Sequence, residues 1–222
     1  MKYLIHTCTN RRWYVDKYII PSMLQQNINR EDISVYCDDK QEGILVSTMN
    51  TFRRLSDEND GGLTWHLQDD VLLSSTFAQR TKEYEHTNAI ICGFCSKYDA
   101  TPLNVGRVGI DKMWYSFPCI MIPNKIAGEC ANWFFKDVIN NPEYRMWVRK
   151  KKYVDSIFRI FMEDYYPDNV AINVSPNLVD HVDYLIGGSL VNACRDQNEL
   201  VKSLCWEEPE LLDELKERLR DE

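Results

Sequence analysis

Asp69 and Asp70 stand side by side at the end of the otherwise apolar stretch GGLTWHLQDDVLL, residues 61–73. Adjacent carboxylates repel each other unless a cation or hydrogen-bond donors offset their charge. Hard oxygen donors of this kind suit Mg²⁺ or Mn²⁺, which take one or two carboxylates and complete their shell with phosphate oxygens and water. The reading without chemistry is that the pair caps a helix beginning at VLLSSTF. Side chains alternate along a strand, so Thr64, His66, Gln68 and Asp70 share one face, while Leu63, Trp65, Leu67 and Asp69 share the other. One face is polar throughout and ends in a carboxylate.

Two other clusters have spacing that chemistry could use. Cys92 and Cys95 form CGFC, but a redox pair needs a helix N-terminus to lower a thiol pKa. Here the motif closes the strand-like NAIICGFC and runs into SKYDATP, a loop, so the expectation is core packing. A zinc site would need a second such pair or two histidines. The run RMWVRKKKY (145–153) gathers five cations around Trp147 and Tyr153 in a chain of net charge −8. Cations on phosphates with aromatics on bases is a recipe for nucleic-acid contact. The same run also reads as a solvated helix face with Trp147 buried.

The elements that must position these residues follow from the pattern along the chain. Apolar, strand-like runs occur at KYLIHTCT (2–9), DISVYCDD (32–39), LTWHLQDDVLL and NAIICGFC. Helical periodicity lies between them, in NRRWYVDKYIIPSMLQQNI, where Pro21 should kink or divide the helix, in EGILVSTMNTFRRLSDEND and in SSTFAQRTKEYEH. This alternation predicts an α/β fold with a mostly parallel open sheet flanked by helices. In such sheets ligands bind at the carboxyl ends of the strands, where the acids accumulate. The second half predicts a strand and helix in SFPCIMIPNKIAGECANWFFKDVIN and a helix in YRMWVRKKKYVDSIFRIFMEDYY. A strand and a proline loop follow in DNVAINVSPNLVDHVDYLIGGS, and the amphipathic helix EEPELLDELKERLRDE closes the chain.

Bulk properties bound the function. With 222 residues, 44% hydrophobic and 27% charged, the chain has the composition of a globular protein rather than a disordered one. Its acidic balance counts against generic polyanion coating. No N-terminal signal is evident and no apolar run nears the roughly 18–20 residues of a membrane span. Eight cysteines without a disulfide context point to reduced thiols and a cytoplasmic location, that of the host if the chain is phage-encoded.

Taken in order, YLIHTCTNRR, ISVYCDD, WHLQDDV, YVDSIF and PNLVDHVDYLIGGS resemble GT-A-fold glycosyltransferases, in particular small bacterial, phage and lipopolysaccharide-type enzymes carrying EDD or QDD in place of a strict DxD. The resemblance covers roughly residues 2–190 and rests on the order and spacing of short motifs. It implies a single GT-A-like domain over 1–222: a nucleotide-sugar half (1–100), an acceptor half (101–205) and a C-terminal helix (206–222). The activity implied is transfer of a sugar from a UDP- or GDP-linked donor with Mn²⁺ or Mg²⁺. Asp70 matches the last DxD carboxylate, a metal ligand, and His181 matches a late histidine that completes the metal shell. Gln68 stands at the first DxD position, and it and Asp69 would lie against the nucleotide sugar.

Thr9 and Arg11 match nucleotide contacts in the first post-strand loop, with Arg11 or Arg12 able to pair with the pyrophosphate. Asp38 and Asp39 would face the ribose or base; they also read as a plain turn. Asp155 resembles the general base of inverting members, and it also suits a helix N-terminus electrostatically. Trp147, Arg149, Lys150 and Lys151 would then flank the acceptor, DNA with hydroxymethylated bases or an anionic glycan. The competing readings are a nucleotidyltransferase, which would want a glycine-rich, lysine-containing loop after the first strand, and a non-catalytic nucleic-acid- or partner-binding protein.

Overall fold

The structure is a computed structural model that describes residues 1–59, 61–95, 104–114, 117–142, 154–187 and 206–220. Seven strands form its main sheet: β1 (Lys2–Cys8), β2 (Ile33–Asp38), β3 (Leu63–Gln68), β5 (Ile90–Cys92), β6 (Gly106–Gly109), β7 (Cys119–Pro123) and β8 (Val170–Asn173). Their order is β2-β1-β3-β7-β5-β8-β6, and a separate ribbon pairs β4 (Val71–Leu73) with β9 (Val179–His181). The pairs β1/β2, β1/β3 and β5/β8 are parallel, whereas β7 runs antiparallel to both β3 and β5, and β6 to β8. The α/β class with a mostly parallel sheet is therefore what the chain adopts. The antiparallel insertion of β7 at its centre is not visible in the early strand–helix alternation, because β7 arrives from the second half of the chain.

Helices cover both faces. The first is a continuous helical run over 9–25, called α1: a 3₁₀ turn Thr9–Arg11, an α turn Arg12–Tyr14, a π turn Val15–Ile19 and an α segment Ile20–Gln25. Pro21 neither breaks nor ends this run. It falls in the first turn of the last segment, after a π turn that already displaces the hydrogen-bond ladder, so its missing N–H costs little there. The remaining helices are α2 (Ile44–Asn59), α3 (Phe77–Lys82), α4 (Asn124–Trp133), which continues as a π turn Phe134–Val138, α5 (Val154–Tyr165), α6 (Asp183–Ile186) and α7 (Pro209–Arg220).

One core layer packs α2, α4 and α5 on Leu4, Ile90, Ile120 and Ala171 of the sheet. The opposite layer packs α1, α3, the β4/β9 ribbon and Leu215 of α7 on Tyr3, Ile5, Trp65, Leu67, Ile91 and Met121. Both faces of β3 are consequently buried, and its polar face does not look toward ligand or solvent. Thr64 is buried, and His66 is wholly enclosed, its ring against Phe52, Phe117 and the ring of His6. Cys92 and Cys95 are buried in the core, in keeping with the packing role expected of them.

Among the described residues no helix is long and apolar enough to cross a membrane. The α2–α4 contact is unusually close at Gly128, where an added Cβ would lie 2.4 Å from Ser56 Cβ. Gly128→Ala should therefore push the two helices apart and destabilise the protein by about 1–3 kcal/mol, read as a lowered urea midpoint with an unchanged slope.

Candidate metal and nucleotide site

β1 and β3 are parallel neighbours in the register His6↔Gln68, so their carboxyl ends meet at one edge of the sheet. Beyond Gln68 the chain does not continue as one strand, as the apolar pattern suggests, nor does it enter a helix. It turns at Asp69–Asp70 and leaves as β4, pairing with β9 in the register Val71↔His181. The helix-capping reading fails for this reason: the next helix, α3, begins at Phe77 after Thr76. β9, which reads as loop in the sequence, is set by the turn before it. That turn passes through the cis Ser175–Pro176 bond. It is held by Arg80, which donates to the carbonyls of Pro176 and Asn177, and by Asn177 Oδ1, which accepts from the Cys95 N–H at 2.9 Å. The Val182 N–H then closes on Asp70 O at 2.8 Å, and two segments more than a hundred residues apart are locked together.

The side chains gathered at this turn form a buried charged cluster. Asp69 Oδ2 accepts from Thr7 Oγ1 at 2.8 Å and from the Cys8 N–H at 3.1 Å. Arg11 Nη1 donates to Asp70 Oδ2 at 2.7 Å and to Asp69 Oδ1 at 3.2 Å, while its Nε donates to Gly187 O at 2.9 Å. His181 Nε2 lies 3.3 Å from Asp70 Oδ2, and its Nδ1 lies 3.6 Å from Asp183 Oδ1. Gly187 follows α6 with φ +66°, a backbone geometry that glycine adopts without strain, which turns its carbonyl to the guanidinium.

Charge and burial set the protonation states. Burial alone would raise the Asp70 carboxyl, but His181 and Arg11 outweigh it and hold Asp70 well below the ordinary carboxylate range. Asp69 moves the other way, raised by burial and by its neighbour Asp70 against the pull of Arg11. His181 would lose its proton more readily through burial, yet Asp70 and Asp183 push it up to about 8. In the metal-free protein at neutral pH, then, Asp70 is anionic between two cations.

The donor set fits a divalent ion. Asp70, His181 and Asp183 each present a ligand atom within 4.8 Å of the others, and among the described residues Asp70 Oδ1 is buried without a hydrogen-bond partner. A buried carboxylate oxygen left bare is costly, and a hard cation is the natural partner for it. Asp183 is the member that reading the sequence missed. The signal was the spacing H-x-D in DHVD (180–183), which is uninformative until β9 and the start of α6 place both side chains beside Asp70.

The other sequence-derived residues divide by position. Gln68, Thr9, Asp38 and Asp39 all reach the same sheet edge as the cluster, at or just past the ends of β3, β1 and β2. Thr9 and Asp39 are exposed there. Asp38 is buried and its Oδ1 accepts from the Glu42 N–H at 3.0 Å, so its carboxylate builds the turn after β2. Arg12 is drawn aside into an ion pair with Asp16 at 2.9 Å, which leaves Arg11 as the arginine at the site. Asp155 is in the first turn of α5, where its Oδ1 accepts from the Ser156 N–H at 2.8 Å. That helix packs in the core layer opposite Tyr14, Val71 and Val182. Trp147, Arg149, Lys150 and Lys151 lie outside the described residues.

No protein-family model matches the sequence, and no curated protein sequence does. Solved structures do. One is the galactosyltransferase LgtC in complex with donor and acceptor sugar analogues, at 11% identity over 79% of this chain and 73% of that one, with a TM-score of 0.45. A glycosyltransferase involved in glycosylation of the major capsid of PBCV-1 aligns at 8% identity over 99% of this chain and all of its own length, with a TM-score of 0.43. A Bacillus anthracis protein assigned as a glucose-1-phosphate thymidylyltransferase aligns at 12% identity over 78% and 86%, with a TM-score of 0.43. The α/β class is secure. With all three scores below 0.5, it rests on the strand order itself.

Proposed function

We propose that the protein is a divalent-metal-dependent glycosyltransferase with a GT-A-like domain, moving a sugar from a UDP- or GDP-linked donor to an acceptor hydroxyl on DNA or an anionic glycan. The observation that carries this reading is the buried Asp70–His181–Asp183 set at the carboxyl ends of β1 and β3, with Asp70 Oδ1 unpartnered. The order of the sequence motifs supports it as well.

On this reading Asp70, His181 and Asp183 hold Mn²⁺ or Mg²⁺. Bound there, the cation supplies Lewis-acid stabilisation of the charge that builds on a departing nucleoside diphosphate. The chain's own residues do the positioning. Thr7 and the Cys8 N–H fix Asp69, so that the acidic turn cannot swing away from the sheet edge. Arg11 places a permanent positive charge beside the expected diphosphate. Thr9 and Asp39, exposed on the same edge, are available to the nucleoside. Asp155 and the basic run 145–153 are assigned to the acceptor half on the strength of the motif resemblance.

Thermal melting against a panel of nucleotide sugars, with and without Mn²⁺, tests the proposal. A metal-dependent rise in midpoint with one UDP- or GDP-sugar is the expected result. A rise with nucleoside triphosphates alone would shift the assignment to nucleotidyl transfer. No rise with any nucleotide would overturn both and leave a binding protein.

A further inference from the structure

Arg11 is 4% exposed, and one of its nitrogens, Nη1, serves both Asp69 and Asp70. Through Oδ2 it therefore already neutralises the Asp70 carboxylate whose bare Oδ1 a divalent ion would take. A guanidinium cannot shed its charge in a protein, so a second cation entering beside it meets repulsion strengthened by the buried setting. Two further anchors, Asp69 Oδ1 and Gly187 O, do not involve Asp70. Arg11 can thus let go of Asp70 and stay in place. Among the described residues its Nη2 is buried with no hydrogen-bond partner, an N–H left over for an acceptor that they do not provide.

Resting on the metal-site reading above, we propose that Arg11 is an internal counter-cation that competes with the divalent ion for Asp70. Metal loading at Oδ1 loosens the guanidinium's hold on Asp70 Oδ2, which leaves Arg11 aimed at an anionic oxygen of the donor diphosphate. In this role Arg11 is a positioning residue that couples metal to donor, because each of the two ligands removes an obstacle to the other.

The test has a sign that separates this role from a merely structural one. Titration calorimetry with Mn²⁺ alone should show Arg11→Met binding the ion at least about tenfold more tightly than the natural protein. If Arg11 only holds the acids in place, the same substitution weakens binding or leaves it unchanged, and the proposal is overturned.

Should Arg11→Met fail to fold, the natural protein still decides. Addition of Mg²⁺ should shift the Arg11 side-chain ¹⁵N–H resonances together with those of the His181 ring. A His181 shift with Arg11 unmoved overturns the proposal. Asp70→Asn is the control for the underlying site. If it binds Mn²⁺ as the natural protein does, the metal reading itself fails. If it loses the ion while Arg11→Met shows no gain, only the Arg11 role falls.

Discussion

Asp70→Asn should abolish measurable Mn²⁺ binding and lower sugar transfer roughly 10²–10³-fold, the scale on which loss of a charge-stabilising group acts at a reacting centre. The substitution keeps the shape of the side chain and removes its charge. Arg11 and His181 then face a neutral amide instead of the carboxylate that lies 2.7 Å and 3.3 Å from them. Breaking one member of a buried charge cluster leaves the others uncompensated, at a cost of about 3 kcal/mol. Asp69 retains Arg11, which keeps the cost toward the low end. In a chain of this size that is a fall of roughly 10 °C in melting midpoint. Calorimetry, turnover and melting should therefore all move, with the far-ultraviolet circular dichroism unchanged. A variant that melts lower but binds Mn²⁺ and turns over normally would show that the cluster is purely structural.

Stability should also fall steeply in mild acid, for a reason located elsewhere in the fold. His6 is 6% exposed and His66 is wholly buried. Burial holds their pKa values down at about 4 and about 3, against the partial opposition of Asp38 and Asp70 at His6. A folded-state value below the unfolded one means that the unfolded chain takes up protons which the folded chain refuses. Stability from these two rings is full above about pH 6.5 and declines as pH falls toward 4. The slope approaches about 1.4 kcal/mol per pH unit for each histidine. The depressed Asp70 carboxyl acts in the same direction, only at still lower pH.

His181 acts oppositely. Its raised value contributes stability that is complete below about pH 6.5 and lost as pH rises through about 8. The metal-free protein should thus be most stable near pH 6.5, with urea midpoints dropping on either side. His66→Phe, which sets an apolar ring beside Phe52 and Phe117, should roughly halve the acid-side slope while leaving the alkaline side untouched. An acid slope identical in the variant would place the titration elsewhere.

Both results bear on how much of this protein is legible in one dimension. The polar face of β3 illustrates the difficulty. Alternation correctly puts Thr64, His66 and Gln68 together, but it does not say what covers them. α2 and α5 cover that face with Phe52 and Phe158, and Phe117 packs between them, so His66 is a core residue rather than part of the site. Arg11 illustrates the reverse. In the sequence it is one of two arginines opening a helix, equally suited to solvent or to phosphate. The local pairing of Arg12 with Asp16, four residues on, and the distant contacts of Arg11 with Asp69, Asp70 and Gly187 are what separate the two.

By itself the sequence determined the α/β class, the run of strands and helices through the first 95 residues, and the sheet edge at which acids collect. Each of these follows from local periodicity and from where apolar runs end. Tertiary structure alone decided that QDD is a turn between two strands, that β7 enters the sheet antiparallel, and that Asp183 and Arg11 join Asp70 and His181. Those outcomes depend on pairing between residues far apart in the sequence, such as Leu67 with Cys119 and Val71 with His181. Such pairing is set by which backbone groups find partners and which side chains fill the core, and no short window of sequence contains both halves of that choice.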